Sequence, residues 1–569
     1  MLEKLIDAAI GRKKADVVLK NGKFVNVFTG EICEGDIAIE GGKIAGFGSY
    51  EGEREIDIAG KIAVPGLIDA HVHIESSQLS PEEFARLVLP RGTTTVIADP
   101  HEITNVCGIA GAKYIADAAA KTPLEAKVML PSCVPATAFE TSGAQLTGAD
   151  TEKYIREPFL YGLGEFMNYP GVIFKDPEAM KKLEAAASAG KLVDGHAPDT
   201  SGLGLNAYIA AGISTDHECT SPAEAEEKVS KGMYVHLREG SATRNVAVNC
   251  KAVNERNLRR FMFCTDDRHA ADIRAKGHLD NALRVAVRAG MDPVHAVIAA
   301  TLNTAECYSL SGKGAIAPGR DADIAVFDDL KDFNCALVLK GGKVVAQEGK
   351  PLFASSEKYL PDAVRNTVHV GEVPASAFRL ALKGKRARVI RLIPDNVVTE
   401  ELIREVESRD GDVVLGGTDL LKLAVVERHH GTGNIAVGLL EGYGLKNGAI
   451  ALTIAHDSHN IIVLGDNNED MARAVAELRR IGGGMAVAGA DGVHSLALDI
   501  AGLMSSLSAD EYIARSEELL EIAYGMGVSR DVEAFMSLSF LALPVIPAIK
   551  MTDKGLFDVT KFAFTDINA

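Results

Sequence analysis

After about residue 15 the hydrophobic and polar positions alternate with a period of two, through ADVVLKNGKFVNVFTGEICEGDIAIEGGKIAGFG. Asn-Gly and Gly-Gly pairs interrupt the alternation. This marks short strands closed by tight hairpins, because those residues accept the positive φ that a two-residue turn demands. The pattern returns from Asp321 to Lys350, where VLKGGKVVAQ echoes the VLKNGKFVNV of the first stretch. The two stretches are expected to form one small β-sandwich, with a different unit inserted between its halves.

Between them the pattern changes to short apolar runs separated by helical segments. Eight runs stand out: Ala63 to Ala70, Thr94 to Asp99, Ala126 to Leu130, Leu160 to Glu165, Leu192 to Gly195, Ile213 to Asp216, Tyr234 to Leu237 and Phe261 to Thr265. Strands alternating with helices predict a parallel sheet with right-handed crossovers. Eight of them fit a closed, TIM-like (β/α)8 barrel, with its chemistry at the C-terminal strand ends. Further on, IIVLGDNNEDMARAVAELRRIGGGMAVAG reads as strand, helix and strand joined by a Gly-rich turn. The fold class is thus α/β. The expected division is 1–60 for the first part of the sandwich, 61–314 for the barrel, 315–375 for the rest of the sandwich, and 376–569 for a C-terminal α/β or α+β domain.

A chain of 569 residues exceeds a single hydrophobic core, in line with roughly two to four domains. The formal net charge of −18 argues against nucleic acid and anionic membrane surfaces as partners. A neutral or cationic small molecule suits that field better. No stretch approaches the ~20 apolar residues needed to span a bilayer. The charged, amphipathic start MLEKLIDAAIGRKKADVVLKNG lacks the apolar core and cleavage site of a secretion signal. The eight cysteines are scattered singly, so they read as reduced thiols and the cytoplasm is the expected location.

The strongest local signal is VPGLIDAHVHIE, from Val64 to Glu75. Residues two apart in a strand face the same side, so His71 and His73 can hold one metal ion while the preceding apolar run buries the strand. A chance H-x-H among fifteen histidines is common; one directly after an apolar strand that opens with Pro-Gly is not. Four more candidates end predicted strands: Glu165 after YGLG, His196 after LVDG, His217 after ISTD and Asp266 after MFCT. Each alone is as well explained by a structural hydrogen bond. Together they converge on one barrel mouth.

In REGSA, Arg238, Glu239 and Ser241 can hydrogen-bond a substrate edge, or Ser241 can cap the following helix. His101 either serves the same centre or lies at the surface. His456, Asp457 and His459 form a dense polar cluster in an apolar, strand-like run. They are expected in the active-site wall, with a structural network or a separate metal site as alternatives. The glycines of RIGGGMAVAGADG do not spell a dinucleotide fingerprint. His73-Ile74-Glu75 matches the H-x-E half of the zinc nucleobase deaminases, but the P-C-x-x-C that they also need is absent.

VPGLIDAHVHIE and ATLNTAECYSLSGKGAIAPGRDADIAVFD resemble the amidohydrolase superfamily. ADPHEITNVCG, GLGEFMNYPGV, DGHAP, STDHECTS, REGSA and FCTDDRHA, continued by TIAHDSHNIIVLG and the MTDKGLFDV tail, resemble the adenine deaminase family within it. The resemblance spans essentially the whole chain. It implies two divalent metal ions, one on His71, His73 and Asp266 and the other on His196 and His217. Glu165 looks like the replacement for the carboxylated lysine that bridges the metals in many binuclear members. Carboxylate and imidazole donors suit Mn, Fe or Zn, and a site without thiolates does not single out zinc, so Mn or Fe is favoured.

The implied reaction is attack of an activated hydroxide on C6 of adenine, giving hypoxanthine and ammonia, with Asp266 passing the hydroxide proton to the leaving group. A second acid should serve the ring nitrogen. Glu218, beside His217, and Glu102, in DPHEI, compete for that role, and either can instead orient a ligand imidazole. The implied partner is a small-molecule purine, and a homo-oligomer, dimer or tetramer, is the expected assembly. Two rival readings stay open: the same barrel acting on another heterocycle, as a cyclic amidase or other deaminase, and a non-catalytic scaffold with a decayed site. The presence of all six implied ligands in compatible order argues against the scaffold.

Overall fold

The computed structural model describes residues 2–354, 358–394, 396–415 and 419–569. The two alternating stretches meet in one seven-stranded sheet, in which Lys23–Asn26 and Glu31–Glu34 join Ile324–Phe327, Cys335–Lys340, Lys343–Gln347 and Lys350–Pro351 through the strand Ile62–Pro65. A four-stranded sheet from the N-terminal stretch packs on it, burying Leu19, Ile37, Ile39 and Ile44 against Phe24, Ile324, Val326 and Leu339. Each such side chain removed from water contributes roughly 1.5–3 kcal/mol. The expected Gly-Gly hairpins fall on Gly41-Gly42 (φ 58° and 79°) and Gly341-Gly342 (φ 53° and 76°), both residues of each pair left-handed as the turn requires. Asn21-Gly22, expected as a hairpin too, instead carries the chain from one sheet to the other, because Ala15–Lys20 and Lys23–Asn26 do not pair.

The apolar run from Ala63 to Ala70, expected as one strand, is two. Ile62–Pro65 pairs in the sandwich with Ile324–Phe327, and the first barrel strand, β1 (Leu67–Val72), starts after Gly66. Gly66 passes so close to the neighbouring strand that a Cβ there would collide with Thr94 Oγ1. The other barrel strands are β2 (Thr93–Ala98), β3 (Glu125–Leu130), β4 (Leu160–Phe166), β5 (Val193–Gly195), β6 (Thr215–Asp216), β7 (Tyr234–Arg238) and β8 (Phe261–Cys264). β1 to β5 form one parallel ladder and β6 to β8 another. Parallel bridges between Val193 and Ile213, and between Val72 and Asp266, close the two ladders into a barrel.

Buried aspartates lock the strand ends. Asp69 accepts from the backbone N–H of His71 (3.2 Å) and of Thr265 (3.1 Å), tying β1 to the segment after β8. Asp99 accepts from Glu165 N–H at 2.7 Å, tying β2 to β4. Asp216 accepts from Ala197 N–H (2.8 Å), Glu218 N–H (3.1 Å) and the Lys228 ammonium (2.9 Å), fixing the ends of β5 and β6 together.

The C-terminal domain is an eight-stranded, largely antiparallel sheet, ordered Thr399–Glu405, Arg386–Leu392, Ile435–Glu441, Leu421–Val426, Ile461–Gly465, Gly448–Leu452, Gly484–Gly489 and Gly492–Ala497. The expected strand–helix–strand unit is Ile461–Gly465, the helix Asn468–Ile481 and Gly484–Gly489. That helix starts where Asn467 caps Asp470 N–H, ends at left-handed Gly482, and buries Met471, Val475 and Leu478 on one sheet face. The other face shares a hydrophobic core with the barrel. Among the described residues, no helix is long and apolar enough to cross a membrane.

Lys228 is fully buried between Asp216 and Glu224 (2.6 Å). Lys228→Met would leave Asp216 without its counter-charge, which should destabilise the fold by about 3–5 kcal/mol. Thermal unfolding should show a lowered midpoint that adding Asp216→Asn partly restores; an unchanged midpoint would discount the pair as a structural lock.

Candidate active site

The barrel brings all six expected side chains to one mouth. His71 lies on β1 and His73 just beyond it, Glu165 on β4, His196 and His217 immediately after β5 and β6, and Asp266 two residues after β8. All are buried except His196, which is partly exposed. His71 Nε2 and His73 Nε2 approach to 3.1 Å, and Asp266 Oδ1 lies 3.4 Å from the first and 3.1 Å from the second. Glu165 Oε2 lies 2.8 Å from His196 Nδ1 and 3.3 Å from His217 Nε2, while Oε1 lies 3.5 Å from His73 Nε2. The His71 and His217 rings stack at 4.2 Å, drawing the two groups of donors together. Asp266 is held in the left-handed region (φ 56°) by bonds at the seam, its N–H to His71 O (3.0 Å) and its carbonyl to His73 N–H (3.4 Å). Such backbone is rare outside glycine and is kept where the surroundings over-determine it.

Arg238, at the end of β7, reaches into the same mouth. Its guanidinium donates to Asp266 Oδ2 at 2.8 Å and to both oxygens of Glu218, at 3.2 Å for Oε2 and closer for Oε1. Glu218 lies 3.5 Å from His217 Nε2 and 3.8 Å from His196 Nδ1. Burial would raise both carboxyls, yet Arg238 above all, with the neighbouring imidazoles, holds Glu218 below and Asp266 well below the usual carboxylate range. Ser241 is not directed at an open edge: its hydroxyl donates to Asp272 Oδ2 (2.6 Å) and accepts from His269 N–H (3.0 Å), at the start of the helix Ala270–Lys276. Glu239 is buried, and burial raises its carboxyl.

His101 is not at the surface. Its Nδ1 lies 3.0 Å from Glu165 Oε1 and its Nε2 3.3 Å from Glu102 Oε1. Glu102 in turn meets His456 Nδ1 at 2.9 Å and, more closely, His459 Nε2. His456, Asp457 and His459 therefore do stand at the mouth, but on the loop between the strands Gly448–Leu452 and Ile461–Gly465 rather than in a strand. A narrow cleft opens here between barrel and C-terminal domain, lined by Glu75, Glu102, Asp267, His456, Phe535 and Phe540 among others.

Several residues went unnoticed in the sequence. Asp99 underpins Glu165, and Asp267 lines the cleft, its carboxylate accepting from Ser76 Oγ at 2.5 Å. His236, on β7, stacks on His217 at 6.3 Å with neither ring nitrogen bonded among the described residues. The available signal was a polar residue inside an apolar strand or at its end.

The chain is similar to known proteins over its whole length. The amidohydrolase family model matches residues 62–345, and the adenine deaminase C-terminal domain model matches 396–563. An adenine deaminase of Nitratidesulfovibrio vulgaris is 50% identical over 569 residues, covering 100% of this chain and 99% of its own. One of Clostridium acetobutylicum is 48% identical over 570 residues, 99% of each chain. One of Geobacillus kaustophilus is 46% identical over 574 residues, 100% of this chain and 99% of its own.

Buried nitrogen and oxygen donors packed this closely, in groups such as His71/His73/Asp266 and His71/Glu165/His217, have the chemistry of a divalent-cation site. Mn²⁺ at a hundredfold excess over its Kd should stabilise the protein by about 2.7 kcal/mol. Thermal shift of chelator-treated protein before and after Mn²⁺ addition measures it. Glu165→Gln should abolish most of the shift; a full shift in that variant would show that the cation sits elsewhere.

Proposed function

The chain belongs to the adenine deaminase family of the amidohydrolases, and we propose that Asp266 and Glu218, clamped by Arg238, carry the protons as its barrel mouth hydrolyses adenine. The reaction gives hypoxanthine and ammonia.

The centre would hold two divalent ions, one by His71, His73 and Asp266 and the other by His196 and His217, with Glu165 available to both. The donor set supports this. Two ring nitrogens 3.1 Å apart leave room for at most one proton between them, and His71 Nδ1 finds no hydrogen-bond partner among the described residues. Imidazole and carboxylate donors accept Mn, Fe or Zn. When bound, the ions supply the Lewis acidity that brings the pKa of water down toward neutrality.

The protons are supplied by water. Hypoxanthine keeps one of water's two protons on N1, and ammonia leaves with the other. Both proton carriers can therefore begin as bases that each take one proton from water, and the charges around Asp266 and Glu218 favour their ionised forms. Glu218 borders His196 and His217 and is near enough to serve the ring nitrogen next to the reacting carbon. Asp266, between His71 and His73, takes the second proton to the amino group. Arg238 bonding both carboxylates at once is the observation that carries this assignment. Glu102 belongs to a different network, with His101, His456 and His459. A cytoplasmic setting suits the eight cysteines, all unpaired.

Purified protein supplied with Mn²⁺, Fe²⁺ or Zn²⁺ should release ammonia from adenine and not from guanine, cytosine or adenosine. Glu218→Gln should lower kcat by about 10²–10⁴-fold while metal content by mass spectrometry stays at two per chain. Near wild-type kcat in Glu218→Gln would remove it from the proton path, and ammonia from another heterocycle in preference to adenine would overturn the substrate.

A further inference from the structure

We propose, on the basis of the adenine reading above, that His456 and His459 of the C-terminal domain are positioning residues: they fix Glu102 as a proton-free acceptor in the cleft, where it receives a ring N–H of the purine. Glu102 lies in the first turn of the helix His101–Cys107, which follows β2, is buried, and lines the cleft. Each of its oxygens faces one imidazole from the loop between Gly448–Leu452 and Ile461–Gly465: His456 Nδ1 at 2.9 Å on Oε1, and His459 Nε2 on Oε2.

The tautomer of His459 follows from its surroundings. Ala455 N–H donates to His459 Nδ1 at 3.3 Å, so that nitrogen carries the lone pair and the proton is on Nε2, aimed at Glu102. The ring is held in place through its backbone, since Arg428, itself fully buried, donates to the His459 carbonyl. The His456 ring is fixed by stacking on Phe540 at 4.5 Å with an interplanar angle of 17°. These three side chains also have the donor types of a cation site. A protonated Nε2, however, has no lone pair to offer one, so the arrangement reads as a hydrogen-bonded clamp.

Oε1 faces both His456 and His101, while Oε2 keeps a second lone pair once His459 is satisfied. A ligand in the cleft therefore meets a group that only accepts. One imidazole, that of His101, spans the gap between Glu165 Oε1 (3.0 Å) and Glu102 Oε1 (3.3 Å). A bicyclic base with its C6 at the centre can thus present its five-membered ring toward Glu102. Adenine offers an N–H there. A purine alkylated at N9 has lost the N9–H and adds bulk against a buried carboxylate.

The test uses full-length, metal-loaded enzyme and compares KM for adenine with Ki for 9-methyladenine. The wild type should favour adenine by about 10²-fold or more, since a site built to receive an N–H rejects the analogue lacking it. His456→Leu and His459→Leu, which remove the donors, should each shrink that preference by about 10-fold or more, with two metals per chain retained. His456→Asn and His459→Gln, which return an N–H near the lost Nδ1 and Nε2, should recover part of it. Should the leucine variants not fold, Glu102→Gln should collapse the same ratio. An unchanged preference in any of these folded donor-less or Glu102→Gln variants overturns the proposal, as does a third metal in the wild type that both leucine variants lose. Wild-type enzyme that releases no ammonia from adenine would instead overturn the adenine reading.

Discussion

Glu165 is the carboxylate on which the rest of the site depends. Its two oxygens are shared among His73, His101, His196 and His217, all within 3.5 Å. A carboxylate at that depth without partners would cost several kcal/mol, so the imidazoles and any cation among them are conditions for burying it. The partners come from four separate segments: the ends of β1, β2, β5 and β6. The barrel supplies what a single segment cannot, a ring of strand ends aimed at one point. The aspartates at those ends serve the same requirement, because they spend their oxygens on backbone N–H groups and so set the height at which each donor emerges.

The seam between β1 and β8 shows how closely folding and chemistry are joined here. Asp266 closes the barrel through its backbone and faces His71 and His73 through its side chain. Its left-handed backbone turns the carboxylate inward, and the same turn lets Asp267 face the cleft instead. Adjacent aspartates thereby occupy different environments. Asp266 has Arg238 beside it and is held ionised, whereas burial raises Asp267.

Much of this was legible in the sequence because it is written in local patterns. Period-two alternation with Gly-Gly breaks located the sandwich, and His71, His73, Glu165, His196, His217 and Asp266 stood out as polar residues ending apolar runs. The split of the Ala63 to Ala70 run was hidden, since a sandwich strand and a barrel strand that are both buried read alike around a glycine. The sheet order of the C-terminal domain was hidden too, because it depends on pairings between distant strands. Ser241 was ambiguous for a related reason: a hydroxyl near a helix start suits a cap as well as a ligand, and only its bonds to Asp272 and His269 show where it is spent. The competition between Glu218 and Glu102 had no local solution, since what separates them is the company each keeps in three dimensions.

That separation has a common physical basis. A buried carboxylate can accept a proton, or receive an N–H, only if it starts ionised, and it stays ionised only if a donor from elsewhere in the fold meets it. Glu218 and Asp266 have Arg238 from β7; Glu165 has imidazoles from four strand ends; Glu102 has His101 beside it and His456 and His459 from a domain more than 300 residues further along the chain. Each pairing excludes water as it forms, and exclusion of water strengthens each interaction in turn. The C-terminal domain is therefore more than a cover over a finished barrel. Without that domain, Glu102 would lose the His456 and His459 imidazoles and keep His101, and the cleft would lose the wall formed by His456, Phe535 and Phe540.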